Sequence, residues 1–589
     1  MSGVASIEID LPKFDRNFWD GKFQFTRIGA GDIGGKARGL LAIKDLLVPS
    51  ADSTCIVDVP TLAVIATQSF DQFLEQNALR DLPFSELTDQ RIAMAFQKAD
   101  LPAELVGDLR ALSVEVKTPL AIRSSSVLED RLERPFAGVY ETKMLPNNAL
   151  DADTRSHRLA EAVKLVYAST FFSGARKYIR TTGHDPHQEK MAVIIQEVVG
   201  LRHGERFYPN ISGVGRSYNF YPFGPATPQD RFASLAVGLG KTIVDDGTSW
   251  NYSPAHPHVA PPFKTRSELF EQTQTRFWAV NMGRVPTYDP VSETEFLVHA
   301  TLKDAEEDGV LNLLASTFDA DNDRLSPGLN VRGPRVLNFA PILQFGVAPV
   351  NEAIVRMLEM AERATNDKVE IEFAITIDRR RPSGKQIRIG LLQVRPIAIS
   401  HENVGLGPED LEGPDVIVSS DRVLGNGSTV GIHDVVYVKA ETFSSHDTKA
   451  IAEELGTINE QLRSADRPYV LIGFGRWGTT DPTSGIPVEW SQISGARAIV
   501  ETTLPSLAAE LSQASHFFHN LTSFHAAYFM LQHDGPFKID WDWLARQDLC
   551  TDGPFVRHVR TSTPMTIRVD GRSGRGVILC GEANAGTAQ

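Results

Sequence analysis

Cysteine is scarce in this sequence. Cys55, Cys550 and Cys580 are the only three in 589 residues; scattered and odd in number, they suggest neither a disulfide framework nor a thiolate zinc cage. Long apolar runs are missing as well, since nothing approaches the ~18 residues needed to cross a bilayer. The opening stretch, Met1 to Glu8, lacks the basic and apolar regions of a secretory leader. Positive charge is in deficit: 59 Lys and Arg stand against 74 Asp and Glu, a net charge of −15. Nucleic acids and anionic membranes are polyanions, so such a surface repels both, although a local basic pocket for a nucleotide stays compatible. No internal repeat and no low-complexity tract occurs. The expectation is a soluble, cytoplasmic, globular chain with roughly two to four domains.

What is present is a mixed α/β pattern. Periodicity predicts an amphipathic helix over 37–47, a strand over 57–66 entered through a proline, one long helix over 159–182 and a buried strand over 191–199. Residues 371–399 alternate as a hairpin does, IEFAITID and IRIGLLQVRPIAI around a basic turn. A Gly/Pro/acidic stretch, 401–415, reads as a linker. A second α/β region follows over 416–581, and 582–589 reads as a tail. Within the first 400 residues, subdomain divisions are expected near 110 and 250.

Four separated motifs carry chemistry. Gly34-Gly35-Lys36-Ala37 precedes a helix; glycines there let backbone N–H groups approach a phosphate, and lysine adds a point charge. Ala121-Ile122-Arg123-Ser124-Ser125-Ser126 sends an arginine out of an apolar strand into hydroxyls, a phosphate clamp, or an arginine tied to Glu129 or Asp130. Val237-Gly238-Leu239-Gly240-Lys241 reads equally as a ligand loop or a plain turn. On the hairpin, Glu370 and Glu372 share one strand face, and Gln393 and Arg395 share the neighbouring one. Two carboxylates, an amide oxygen and a guanidinium on one patch suit Mg²⁺, which takes hard oxygen ligands and keeps substrate phosphates in its shell. A solvated face with a surface ion pair is the plainer alternative.

In this order, GGKA, IRSSSVLED, FAGVYET, YAST, MAVIIQEVV, GLGKTIVDDG and IEFA…LLQVRPI, the chain resembles the ATP-binding portion of phosphoenolpyruvate synthase and pyruvate phosphate dikinase over about residues 25–400. The resemblance implies an ATP-grasp-type module that binds ATP and Mg²⁺ between subdomains. Carried over by position, it implies that Lys36 and Arg123 bind phosphates, Glu372 and Gln393 hold Mg²⁺, and Arg395 touches the terminal phosphate. Glu370 stands where these enzymes commonly have aspartate, and Lys241 where a glutamate is frequent.

In that family a histidine on a small swivelling domain receives the phosphoryl group and serves a pyruvate-binding barrel. The ~190 residues after 401 are fewer than the ~250 of such a barrel, so conversion of pyruvate by this chain alone is not expected. The second region resembles a divergent swivelling domain. In it Ser515-His516 opens a helical pattern, 517–531, where the helix dipole would favour a phosphate on the imidazole. The family's Gly-Gly-x-Thr pattern ahead of that histidine is missing, so His516 reads either as a phosphoryl carrier or as a packed core histidine. His446 reads as an exposed loop residue. Gly473-Phe474-Gly475-Arg476-Trp477-Gly478 either binds an anionic acceptor or braces the loop against the ATP module, and Trp477 reads equally as a core residue.

The expectation is an ATP-dependent phosphotransferase acting on an unidentified small-molecule or partner-protein acceptor, with a partner subunit or a homo-oligomer compatible. A direct kinase or ligase without a histidine intermediate, and a nucleotide-sensing subunit without turnover, remain open.

Overall fold

The computed structural model describes residues 11–16, 25–44, 46–47, 55–81, 87–126, 129, 140–182, 188–220, 222–244, 248–261, 263, 269–270, 273–283, 286–382, 386–397, 402, 404–479, 485–505, 521 and 526–581. The chain divides into two compact units. The first comprises residues 1–131, 136–217 and 230–396, and the second 132–135, 218–229 and 397–589.

Of the four sheets among the described residues of the first unit, two position the site. Among the described residues, one has five strands in the order Phe25–Ile28, Leu62–Ile65, Met191–Glu197, Leu120–Ser126, Thr142–Leu145. The other has six, in the order Trp250–Tyr252, Phe232–Ala236, Ile211–Arg216, Val369–Ile377, Ile387–Pro396, Cys55–Asp58. Helices Thr67–Gln76, Asp89–Lys98 and Ala152–Ser169 contribute Phe70, Phe73, Phe96 and Tyr167 to an aromatic layer beside the five-stranded sheet. These rings are fully buried and supply large apolar area to the core. Arg388 links the two sheets, donating to Asp58 at 3.0 Å on one and to Glu197 at 3.3 Å on the other.

Helix Gly34–Lys44 packs against strands of both sheets. It begins one turn before the expected start, because Asp32 Oδ1 accepts from the Gly34 N–H at 2.7 Å and satisfies one of the orphan donors of the first turn. Glycine is required at this start. Gly34 has φ +74°, and a Cβ there would lie 1.7 Å from the Ser125 carbonyl oxygen.

Three sequence expectations need correction. The single strand over 57–66 is two strands, Cys55–Asp58 and Leu62–Ile65, in different sheets. Pro60 lies between them, where the missing N–H ends the ladder. The long helix over 159–182 is two helices, Ala152–Ser169 and Ser173–Thr182. The second starts where Ser173 donates its N–H and its hydroxyl to the Asp89 carboxylate, at 2.6 and 2.7 Å. The helical pattern over 517–531 ends in a strand, Ala527–Leu531, which pairs in parallel with Ala496–Thr502. All five of its residues are buried, and an apolar run buried on both faces carries no helical period.

The hairpin stands as expected, with Val369–Ile377 antiparallel to Ile387–Pro396. Ile371, Phe373 and Ile375 enter the core along with Ile389, Leu391 and Val394. Glu372 pairs with Gln393 but Phe373 pairs with Leu391, so Leu392 is an extra residue without a register partner. Such a bulge re-aims the backbone groups of the residue it inserts.

The second unit holds a larger sheet. Its central strands Gly427–Val438, Tyr469–Phe474, Ala496–Thr502 and Ala527–Leu531 run parallel. Helix Thr448–Ser464 makes the first crossover, as parallel strands require. The sheet curls round a core of Val435, Val470, Val500, Phe529, Val559 and Ile578. At the ends of the pairing order stand Val416–Ser420 and Val423–Leu424, strands adjacent in the chain. Ser420 Oγ donates to the Met530 carbonyl at 2.7 Å, and the Met530 N–H donates to the Arg422 carbonyl at 3.0 Å. Trp477 is a core residue here, its ring N–H directed at the Val500 carbonyl at 3.3 Å.

Candidate functional site

The bulge at Leu392 supplies the first contact of the site. Arg123 leaves strand Leu120–Ser126 of the five-stranded sheet and reaches the hairpin of the six-stranded one. Its Nη1 donates to the Leu392 carbonyl at 2.7 Å, and its Nη2 donates to Gln393 Oε1 at 2.9 Å and to Glu372 Oε2 at 3.1 Å. A further contact, 3.4 Å, runs to Gln196 Oε1. The carboxylate and the amide oxygen sit directly opposite in the ladder and converge on one cationic nitrogen. Of the alternative partners suggested by sequence, Glu129 pairs with Lys36 rather than with Arg123, and Asp130 is outside the described residues.

Glu129 instead organises the lysine. It is 2% exposed; its Oε1 accepts from Lys36 Nζ at 2.6 Å and from Ser124 Oγ at 2.9 Å, and its Oε2 accepts from the Ser126 N–H at 3.0 Å. Ser124 Oγ is also 3.1 Å from Lys36 Nζ, which places the lysine next to the residue that follows Arg123. Nearby, Tyr140 donates to Glu189 at 2.9 Å. Burial, followed by the charges of Glu189 and Glu129, pushes its phenol well above the ordinary value, so it stays a protonated donor.

Two register positions along the hairpin, Glu370 is opposite Arg395. Arg395 Nε donates to Glu370 Oε1 at 3.0 Å. The other oxygen accepts from Arg216 Nε at 2.6 Å, because Arg216 faces Glu370 from the strand on the opposite side. Sequence reasoning missed Arg216. Its only local signal is a cation ending an apolar strand, ISGVGR, and the pairing that gives it meaning joins residues far apart in the chain.

The glycine loop is fastened to the same sheet. Ser212, on the strand of Arg216, donates to the Gly238 carbonyl at 2.6 Å. Gly238 has φ +86°, and a Cβ would meet the Phe277 ring at 2.6 Å, so a turn requirement explains this glycine. Lys241 pairs with Glu293 at 2.8 Å.

The structure therefore brings Arg123, Glu372 and Gln393 into direct contact, sets Lys36 beside Ser124, and places Glu370 and Arg395 on the next row of the same strand face. Lys36, Arg123, Arg216 and Arg395 stand against the carboxylates Glu129, Glu189, Glu370 and Glu372, so the cluster is balanced in charge within a chain that is acidic as a whole. Guanidiniums bind oxyanions bidentately; here Arg123 comes from the five-stranded sheet, while Arg216 and Arg395 come from the two strands that flank Val369–Ile377 in the six-stranded one. Among the described residues, no group of three His, Cys, Asp or Glu side chains is arranged to hold a metal ion. Glu372 and Gln393 offer two hard oxygens directed at one point, which fits Mg²⁺ bound jointly with phosphates. His516 lies outside the described residues. His446 is exposed in a turn. No helix of the described residues is long and apolar enough to cross a membrane.

Residues 30–410 match the family described as pyruvate phosphate dikinase, AMP/ATP-binding domain. One curated relative, an uncharacterized phosphotransferase YvkC of Bacillus subtilis (strain 168), is 30% identical over 188 residues. That stretch is 32% of this chain and 20% of the relative, so the chain spans about a fifth of that protein's length.

Proposed function

The chain belongs to the pyruvate phosphate dikinase AMP/ATP-binding family, and on that premise we propose that it is an ATP-dependent phosphotransferase that uses Mg-ATP. The observation that carries this reading is the convergence of Glu372 and Gln393 oxygens on the guanidinium of Arg123. Hard oxygen donors and an oxyanion clamp meet at one point, as a metal-bound triphosphate requires.

In this reading Lys36 and Arg123 bind phosphate oxygens, and Glu372 and Gln393 hold Mg²⁺. The metal, when bound, neutralises charge across the phosphates. Arg395 faces the terminal phosphate and stabilises the charge that develops on transfer. Glu370 fixes Arg395 in place, with Arg216 holding the second oxygen of that carboxylate. Tyr140 and the serines supply neutral donors near the lysine.

The acceptor is first His516, whose neutral imidazole attacks phosphorus and takes a phosphoryl or pyrophosphoryl group from ATP. A small molecule or a partner protein then receives it. Attack at the γ-phosphorus expels ADP, whereas attack at the β-phosphorus expels AMP and leaves a pyrophosphoryl group, whose outer phosphate is removed by water before the remaining phosphoryl group moves on. Mass spectrometry after incubation with Mg-ATP tests the route, with nucleotide products separated by anion exchange. An acid-labile adduct on His516, absent in His516→Ala, is expected. Steady production of ADP by an unmodified protein would replace the relay with direct transfer, and binding without any turnover would leave a nucleotide sensor.

A further inference from the structure

Arg123 does more than present a guanidinium to phosphate. Its Nη2 is hydrogen-bonded to both proposed metal ligands, Gln393 Oε1 at 2.9 Å and Glu372 Oε2 at 3.1 Å. These are the oxygens a divalent cation would need. Arg123 is largely buried, with 12% of its side chain exposed, and Glu372 has 24% exposed, so water only partly competes for either. The grip is firm because the bulge at Leu392 gives Nη1 a carbonyl at 2.7 Å, with Gln196 at 3.4 Å as a further contact.

We propose that Arg123 is a built-in surrogate cation that closes the metal position until nucleotide arrives. The inference rests on the Mg-ATP reading above and adds a regulation of that site. A bare Mg²⁺ must displace a guanidinium from Glu372 and Gln393 and leave Arg123 with no acceptor to replace them. A phosphate-bearing ligand supplies that acceptor. Arg123 exchanges a carboxylate and an amide oxygen for phosphate oxygens, and the released pair becomes available to the metal. Positive charge at the position is never left unbalanced. Metal occupancy is thereby made conditional on nucleotide, which keeps the site from being held by free divalent ions.

The exchange also has a mechanical side. Arg123 stands on the five-stranded sheet, while Leu392, Gln393 and Glu372 stand on the six-stranded one. With nucleotide absent, the arginine itself fastens the two sheets together at this point. With nucleotide present, phosphate and metal become the fastening.

The test is Mn²⁺ binding to nucleotide-free full-length protein, followed by electron paramagnetic resonance, for wild type, Arg123→Ala and Arg123→Ala/Glu372→Gln. Arg123→Met, which keeps the apolar stem, replaces the alanine variant if circular dichroism shows that it is unfolded. Removal of Arg123 is expected to tighten Mn²⁺ binding roughly tenfold or more, the equivalent of one charge-assisted hydrogen bond. Adding Glu372→Gln should abolish the gain. Binding no tighter than wild type in a folded Arg123 variant would overturn the proposal, as would a gain that survives Glu372→Gln. Binding of Mn-ATP to wild type is measured separately by the same signal. Its absence would remove the Mg-ATP reading, whereas its presence with no gain in the variants would remove the surrogate-cation role alone.

Discussion

Glu370→Ala probes the row of charges behind Arg395. The carboxylate is 3% exposed and accepts from Arg216 Nε at 2.6 Å and from Arg395 Nε at 3.0 Å. Each charge-assisted bond contributes roughly 1.5–3 kcal/mol. Their removal leaves two guanidiniums on neighbouring ladders with 12% and 16% of their side chains exposed. Some water reaches both, so the loss is set near about 3 kcal/mol, the low end for breaking a buried ion pair. In a unit of this size the melting temperature should fall by roughly 3–6 °C. Glu370→Gln keeps the volume and one acceptor and should lose about half as much. Arg216→Met should also cost less than Glu370→Ala, because Glu370 retains Arg395. Differential scanning calorimetry reads all three. A Glu370→Ala protein melting within about 1 °C of wild type, or an Arg216→Met protein less stable than it, would refute the view of Glu370 as the hub of this row.

Two further outcomes follow from the same structure. Arg395→Ala should lower turnover by at least ~100-fold, the scale of losing a transition-state charge donor, while far-UV circular dichroism stays that of wild type; unaltered kinetics would remove Arg395 from the reaction. In the second unit, burial alone would raise the Asp434 carboxyl, but hydrogen bonds from His558 and Arg467 overcome it and hold the group below its usual 3.8. A depressed folded value contributes stability above the unfolded one and loses it as pH falls through the folded one. Acid unfolding of Asp434→Asn should therefore be less steep below about pH 4, and curves that superimpose on wild type would count against this linkage.

Much of the site was legible because its chemistry is local. The spacing of two places Glu370 with Glu372, and Gln393 with Arg395, and the structure keeps each pair on one face. The charged pattern was strongest where strands alternate. Register between distant strands left no trace in the sequence, which is why Arg216 was overlooked and why Arg123 could be assigned to Glu129. The extra residue at Leu392 was equally silent: one more apolar residue in LLQV does not disturb a reading of alternation, yet it frees the carbonyl that holds Arg123. Pro60 shows the converse case, where a visible signal was read as the entry to one strand although it divides two. AYFML at 527–531 misled because a strand buried on both faces has no period to detect.

The curled sheet of the second unit bears on how copies of the protein meet. Where its terminal strands approach through Ser420, Arg422 and Met530, backbone donors and acceptors are already engaged, so a foreign strand finds little to pair with. The five-residue strand Asp548–Asp552 pairs with Val556–Asp570 and is exposed throughout, with an aspartate at either end. Charged side chains on an exposed edge discourage the pairing of a further strand; here Asp552 is held by Lys439 at 2.7 Å and Arg557 at 3.1 Å, so the edge carries both signs of charge around Leu549 and Cys550.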